Sequence, residues 1–230
     1  MREHLAAIEA VNADVLDEVA ARMLDVVRRD RLIYTAGTGH SLALVLETFY
    51  RAGGLACVRP IFHPGLLPLS GARYSTRQEK ATGLASALLE RIGVERGDLA
   101  FVFSHSAANA VPVELAAALH AAEVEVVAVA SAVHVRAAAR RPTVLDFADH
   151  LLDTQVPHGD ASYETAGGPR AAPLSSLASV FLWNLLLARL ADLARSAGVL
   201  LPVWTSSNVS GGEERNRVLM EAYAPRIPEL

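Results

Sequence analysis

Short apolar runs recur along the chain at residues 31–36, 55–61, 98–103 and 124–130, and between them lie stretches with helical periodicity at 42–52, 78–92 and 111–122. Strands that alternate with helices of about ten residues or more are crossover units on a mostly parallel sheet. The spacing also predicts a short helix at 133–139, a last short strand at 151–153 and a long, leucine-rich closing helix at 174–194. Leu5, Ile8, Val11, Leu16, Val19, Met23, Val26 and Val27 recur near the 3.6-residue period, so the first thirty residues read as helix. The expectation is one α/β domain over residues 31–230 behind a helical flank at 1–30. Two stretches resist assignment: 63–77, and 156–173, whose Gly159, Gly167, Gly168, Pro157, Pro169 and Pro173 suit a mobile loop or lid.

Composition narrows the function classes. At 230 residues, 52% hydrophobic and 20% charged, the chain is globular. A net charge of −4, from 21 basic and 25 acidic residues, argues against non-specific binding to nucleic acid. Cys57 stands alone, which removes an intramolecular disulfide and multi-cysteine zinc sites and fits a reducing compartment. Glu3, Glu9, Asp14 and Glu18 interrupt the start in a way no signal-peptide core tolerates. The apolar stretch 177–190 is broken by Asn184 and Arg189 and falls short of the roughly 20 residues of a membrane span. A cytoplasmic location with no membrane or nucleic-acid partner is expected.

Ligands of an open parallel sheet bind beyond the carboxyl ends of its strands, where loops open into helices. Three such ends share one chemical character: Gly37-Thr38-Gly39-His40-Ser41, Ser104-His105-Ser106-Ala107-Ala108-Asn109, and Ser131 after Val129-Ala130. Hydroxyls and free backbone N–H groups at helix starts suit a dianion such as a phosphate monoester. The first run is neither GxGxxG nor a P-loop, and every Ser or Thr here could equally be a helix cap. A strand-like run at 199–204 leading into Thr205-Ser-Ser-Asn208 could return to the same pocket; Ser210 and Glu213 have the spacing of a capping box.

These residues carry a resemblance. The stretches YTAGTGHSLALVLETFYRAGGLA (34–56), FVFSHSAANAVPVELA (101–116) and TSSNVSGGEERN (205–216), with VPHGDA (156–161) and PLSSLASVFLWN (173–184), resemble the sugar isomerase (SIS) domain family. The likeness is strongest to single-domain bacterial proteins of the phosphosugar-binding branch. It implies a five-stranded parallel sheet with helices on both faces, a phosphorylated sugar as ligand, and a homodimer with sites near its interface. It further implies aldose–ketose isomerisation, elimination from an amino-sugar phosphate, or ligand sensing without catalysis. Carried over by match, Ser41 is the first-loop hydroxyl, Ser104 and Ser106 are phosphate binders, and Asn109 is the polar residue that follows. Thr38, Ser131 and Asn208 complete the expected ligand-binding set. The chain departs from the family pattern at Ala107, where glycine is usual.

Isomerisation through an enediol needs a base beside a carbonyl and an acid for the oxygens. Glu47 is the first candidate base, in an otherwise apolar helix two turns beyond Ser41; Arg51, four residues on, offers it an ion pair instead. His158 and His40 are the candidate acids, with His105, His63 and Glu114 behind them. His40, Glu47, His63 and His158 show no spacing of a metal site such as HxxxH, so neither a metal nor a cofactor is expected. A dimer is expected on a second ground, because the flank helix and the 177–190 helix carry more apolar surface than a lone sheet covers.

Overall fold

The structure is a computed structural model that describes residues 1–138 and 142–230. Five parallel strands form the sheet: β1 (Ile33–Gly37), β2 (Val58–Ile61), β3 (Leu99–Phe103), β4 (Glu125–Ala130) and β5 (His150–Asp153), in the order β2-β1-β3-β4-β5. Every residue of β1, β2 and β3 is buried, as strands covered on both faces must be. Register is tied at the amino edge by Asp98, whose Oδ1 accepts from Leu32 N at 3.1 Å and whose Oδ2 accepts from Glu95 N at 2.8 Å.

Helices fill both faces. On one lie α1 (Arg2–Val11), α2 (Ala13–Arg28), α3 (Leu42–Thr48) and the later long helix α8 (Ser175–Ser196); on the other lie α5 (Leu84–Ile92) and α6 (Ala110–Ala121). Between β2 and α5 come turns at Pro64–Leu66 and Pro68–Ser70 and the short α4 (Ala72–Gln78). After β4 comes α7 (Ala132–Ala137); residue 139, the end of the helix expected at 133–139, lies outside the described residues. The stretch 156–173 is not irregular throughout: β6 (Ala161–Tyr163) and β7 (Ala171–Pro173) pair as an antiparallel hairpin before α8 (Ser175–Ser196) and α9 (Gly212–Tyr223). The five strands with helices on both faces are as expected.

Several boundaries differ, each for a local reason. The helix expected at 42–52 stops at Thr48: Phe49 turns extended, Tyr50 takes φ 41°, and its ring packs edge-on to Trp204 at 5.0 Å. The helix expected at 78–92 begins only at Leu84, because Gly83 is left-handed. Residues 199–204 form no strand end at the pocket. Instead Gly53 N donates to Trp204 O at 2.8 Å and Leu55 bridges Val203, at the end of the chain segment that enters β2. Ser210 does not cap α9, whose N-cap is Gly211.

α8 is 22 residues long and, by length and composition alone, could cross a bilayer, so shortness is no argument against a span. Its Leu182, Trp183, Leu186 and Leu190 are buried instead, Trp183 lying edge-on to Phe101 at 5.2 Å. α2 packs along α8, burying Leu16, Val19, Ala20 and Met23. The two helices named as surplus apolar surface therefore cover each other.

The flank is two helices because of Asn12, which is 2% exposed. Its Nδ2 donates to Ile8 O at 2.7 Å and to Asp153 O at 2.9 Å, while its Oδ1 accepts from Asp153 N at 2.7 Å. The side-chain amide thus bonds the outer edge of β5 as a sixth strand would. Asn12→Ala would leave that N–H and C=O buried without partners, and is expected to cost about 2–3 kcal/mol in urea unfolding, with an unchanged slope.

Candidate functional site

The order β2-β1-β3-β4-β5 means that the chain winds outward from β1 in one direction to reach β2 and in the other to reach β3. Right-handed crossovers then place α3 and α6 on opposite faces, and the loops after β1 and β3 part to leave a crevice. Both serine-bearing loops lie at this crevice.

The first loop is shaped by its glycines. A Cβ on Gly37 would sit 2.9 Å from Ser41 O, and Gly39 has φ 59°. Residues Gly39–Ser41 make a single tight turn into α3. Thr38 is 8% exposed and its Oγ1 donates to Glu79 Oε2 at 3.1 Å. Glu79 follows α4, and its carbonyl accepts from Val111 N of α6 at 3.1 Å. That carboxylate is therefore fixed between the β1 loop and the start of α6. Nothing in the spacing of Gln78-Glu79-Lys80 distinguishes it from a solvated charge run.

The second loop turns on Ala107. It is fully buried with φ 52°, the left-handed region that a glycine enters without strain. The departure from the family pattern thus leaves the turn itself in place. Ala107 N donates to Ser104 Oγ at 3.2 Å and Ala107 O accepts from Val144 N at 2.9 Å, which hold the conformation. Asn109 is the N-cap of α6 but its side chain caps nothing. Among the described residues nothing accepts from the N–H groups of Ser106, Ala108, Asn109 or Ala110. Ser106, Ala108 and Asn109 line a 250 Å³ cavity together with His134 and His158.

The other expected residues fall in different places. Ser131 is buried and occupied: its Oγ donates to Val156 O at 2.7 Å and accepts from His134 N at 3.3 Å, capping α7. Ser41 lies half-buried at the start of α3, and His40 is exposed beside it. Glu47 pairs with Arg51, the helical ion pair its spacing allowed. His63 Nδ1 accepts from Gly65 N at 3.1 Å and caps a turn, and Glu114 Oε2 accepts from Gly83 N at 2.8 Å. Asn208 is exposed, on the segment that follows the Gly53–Trp204 pairing at the entry to β2. The structure thus gathers Thr38, Ser104, Ser106, Asn109 and His158 around the crevice and its neighbouring cavity, with Glu79 and His134 added. It does not bring Ser131's hydroxyl, Glu47 or Asn208 to that set.

No group of three or more His, Cys, Asp or Glu side chains among the described residues has the arrangement of a metal site. The imidazoles of His105, His134 and His158 do pack in series, with ring centroids 4.3 Å and 4.6 Å apart. Burial, and then the neighbouring His134, push the His105 pKa down to about 4. His134 is lowered by burial and by His158, with Asp160 opposing. Burial works against ionisation of Asp160, but hydrogen bonds from Ser175 and Leu174 outweigh it and hold the carboxyl below its usual range.

The geometry can be set beside known proteins. The sequence matches the SIS domain over residues 1–131, from α1 to the end of β4. The UPF0309 proteins of Brucella ovis and Brucella melitensis are each 34% identical to it over 232 aligned positions, covering 100% of this chain and 93% of theirs. The phosphoheptose isomerase of Neisseria gonorrhoeae superimposes with a TM-score of 0.54 at 19% identity, over 81% of this chain and 91% of that one. A phosphoheptose isomerase from Francisella tularensis gives 0.50 at 16%, with the same coverage. At those identities the solved structures share the fold. Relatives that align along the whole chain, and a domain match that spans more than half of it, carry the further step: the sheet with its serine-bearing turns is a SIS domain, and the chain belongs to that family.

Proposed function

We propose that the chain binds a sugar phosphate at the carboxyl end of its sheet and interconverts aldose and ketose forms. The observation that carries this is the β3–α6 turn, where the N–H groups of Ser106, Ala108, Asn109 and Ala110 donate to no acceptor among the described residues, and where Ser106, Ala108 and Asn109 line a cavity. Unpaired backbone donors at a helix start favour a dianion. The phosphosugar chemistry named for the relatives in gonococcus and Francisella supports the same ligand class.

With the phosphate on that turn, the carbon chain would lie along the crevice toward Thr38 and Glu79. A carboxylate there would lift the proton from the carbon next to the carbonyl, giving an enediolate, and return it to the former carbonyl carbon while a proton passes from the one sugar oxygen to the other. Its bond from Thr38 fixes its direction. Glu47, engaged by Arg51, is the second carboxylate to be weighed. A copy of the chain is expected to pair across the apolar groove next to the β1 loop, where Leu46 is 74% and Leu69 91% exposed.

Calorimetry with hexose, hexosamine and heptose phosphates should show binding that vanishes for the free sugars. Ser106→Ala should weaken it by about 1.5–3 kcal/mol. Equal affinity with and without the phosphate would overturn the proposal.

Proton transfer is tested in deuterated water, by following loss of the C2–H signal by NMR. Washout by the wild type that Glu79→Gln abolishes, with binding intact, supports an isomerase using Glu79. Loss in Glu47→Gln alone assigns the transfer to α3 instead. Binding without any exchange favours a sensor, and loss of water from the sugar favours a lyase or dehydratase.

For assembly, sedimentation should show a dimer that Leu46→Asp converts to monomer. A monomeric wild type would refute the pairing.

A further inference from the structure

Beside the β3–α6 turn, His134 and His158 line the cavity and His105 packs behind His134. Nδ1 and Nε2 of His105, and Nδ1 of His134, are buried without a hydrogen-bond partner. A neutral imidazole has one donor and one acceptor, and burying them unmet is unfavourable. These two rings stack in series with the exposed His158, and the three come from three elements: His105 from the turn after β3, His134 from α7, and His158 from the loop after β5. His134 Nε2 accepts from Gly159 N at 2.9 Å, so neutral His134 carries its proton on the unpartnered Nδ1. His134 and His158 line the same cavity as Ser106 and Asn109.

We infer that the stacked imidazoles of His105, His134 and His158 take up a proton, on His105 or His158, when a tetrahedral dianion binds in this cavity. The inference rests on the phosphate-binding role proposed for the Ser106 turn and adds to it a coupling between ligand and pH.

The charges around the cluster explain why it waits for a ligand. Groups that act on His105 are His134, His158 and Asp160; those that act on His134 are His158 and Asp160. Asp160, at the base of the β6–β7 hairpin, is bonded to Leu174 N and to Ser175 N and Oγ rather than to a ring. Of the remaining charged groups on these elements, Asp153 Oδ1 accepts from Ala132 N and Gln155 N, and Arg136 is exposed on α7. Without ligand, burial and the neighbouring imidazoles work against a charge on His105 and on His134. A dianion at the Ser106 turn reverses the balance, because opposite charge within about 4–6 Å raises an imidazole's pKa by roughly 1–3 units. His134 stays neutral as long as Gly159 N–H holds its Nε2, so the proton goes to His105 or His158.

The test is calorimetric titration of the full chain with sulfate and with glucose 6-phosphate, in buffers of differing ionisation enthalpy. Sulfate keeps its charge throughout, so any proton taken up with it belongs to the protein. Uptake approaching one proton per ion is expected as pH falls from about 8 to about 5.5, with affinity rising by up to about tenfold per pH unit. His105→Asn and His158→Asn should flatten that dependence; His158 is exposed, so its variant is informative even if His105→Asn fails to fold. His120→Asn, exposed in the last turn of α6, should leave it unchanged. Binding without uptake, or uptake that persists in His158→Asn and in a folded His105→Asn, overturns the inference while leaving the phosphate site standing. Failure of both ligands to bind at every pH overturns the two together.

Discussion

Everything that positions the site follows from the reversal of winding at β1. Crossovers between parallel strands are right-handed, so a chain that moves one way to β2 and the other way to β3 must place the connecting helices on opposite faces. The loops after β1 and β3 then diverge, and a crevice opens between them without any residue being selected for that purpose. Thr38 and Glu79 stand on one side of it, and the Ser104–Asn109 turn on the other. The full burial of β1 and β3 holds both loops to a rigid base.

Polar groups do the fine positioning, and they do so in pairs that bridge distant parts of the chain. Asp98 fastens the entries of β1 and β3, and Asn12 closes the open edge of β5. Ser131 joins the end of β4 to the loop beyond β5 through Val156. Each is buried, so each missing partner would leave a desolvated group behind. Ala107 shows the same economy in backbone form. Its left-handed conformation carries strain of about 1–2 kcal/mol, and the bonds from Val144 and to Ser104 offset it.

The electrostatic character of the site is divided. A carboxylate, Glu79, is held at the crevice by Thr38, whereas the cavity beyond Ser106 offers N–H donors and the imidazoles of His134 and His158. A ligand with a dianion at one end and a polarisable carbonyl at the other meets opposite demands at its two ends. That asymmetry gives the proposed substrate a single direction in which to lie.

The sequence by itself determined the layering. Apolar runs buried on both faces can only be strands of a covered parallel sheet, and the helical periods between them can only be crossovers. It also placed the two serine-bearing turns, since strand ends are legible from where apolar runs stop. The short 31–36 and 98–103 runs fell within a residue or two of β1 and β3. What it could not decide was which polar side chains are occupied. Ser106 and Ser131 follow strands in the same way, yet one faces a cavity and the other is consumed by Val156 and His134. Glu47 and Glu79 are both single carboxylates near helix ends, and only the packing of α4 against the β1 loop brings Glu79 to Thr38. His134 carried no local signal; it becomes chemically distinct only because α7 stacks it between His105 and His158. Hydrogen-bond partners, unlike apolar periods, are set by residues far away in the chain, and so tertiary structure alone assigned them.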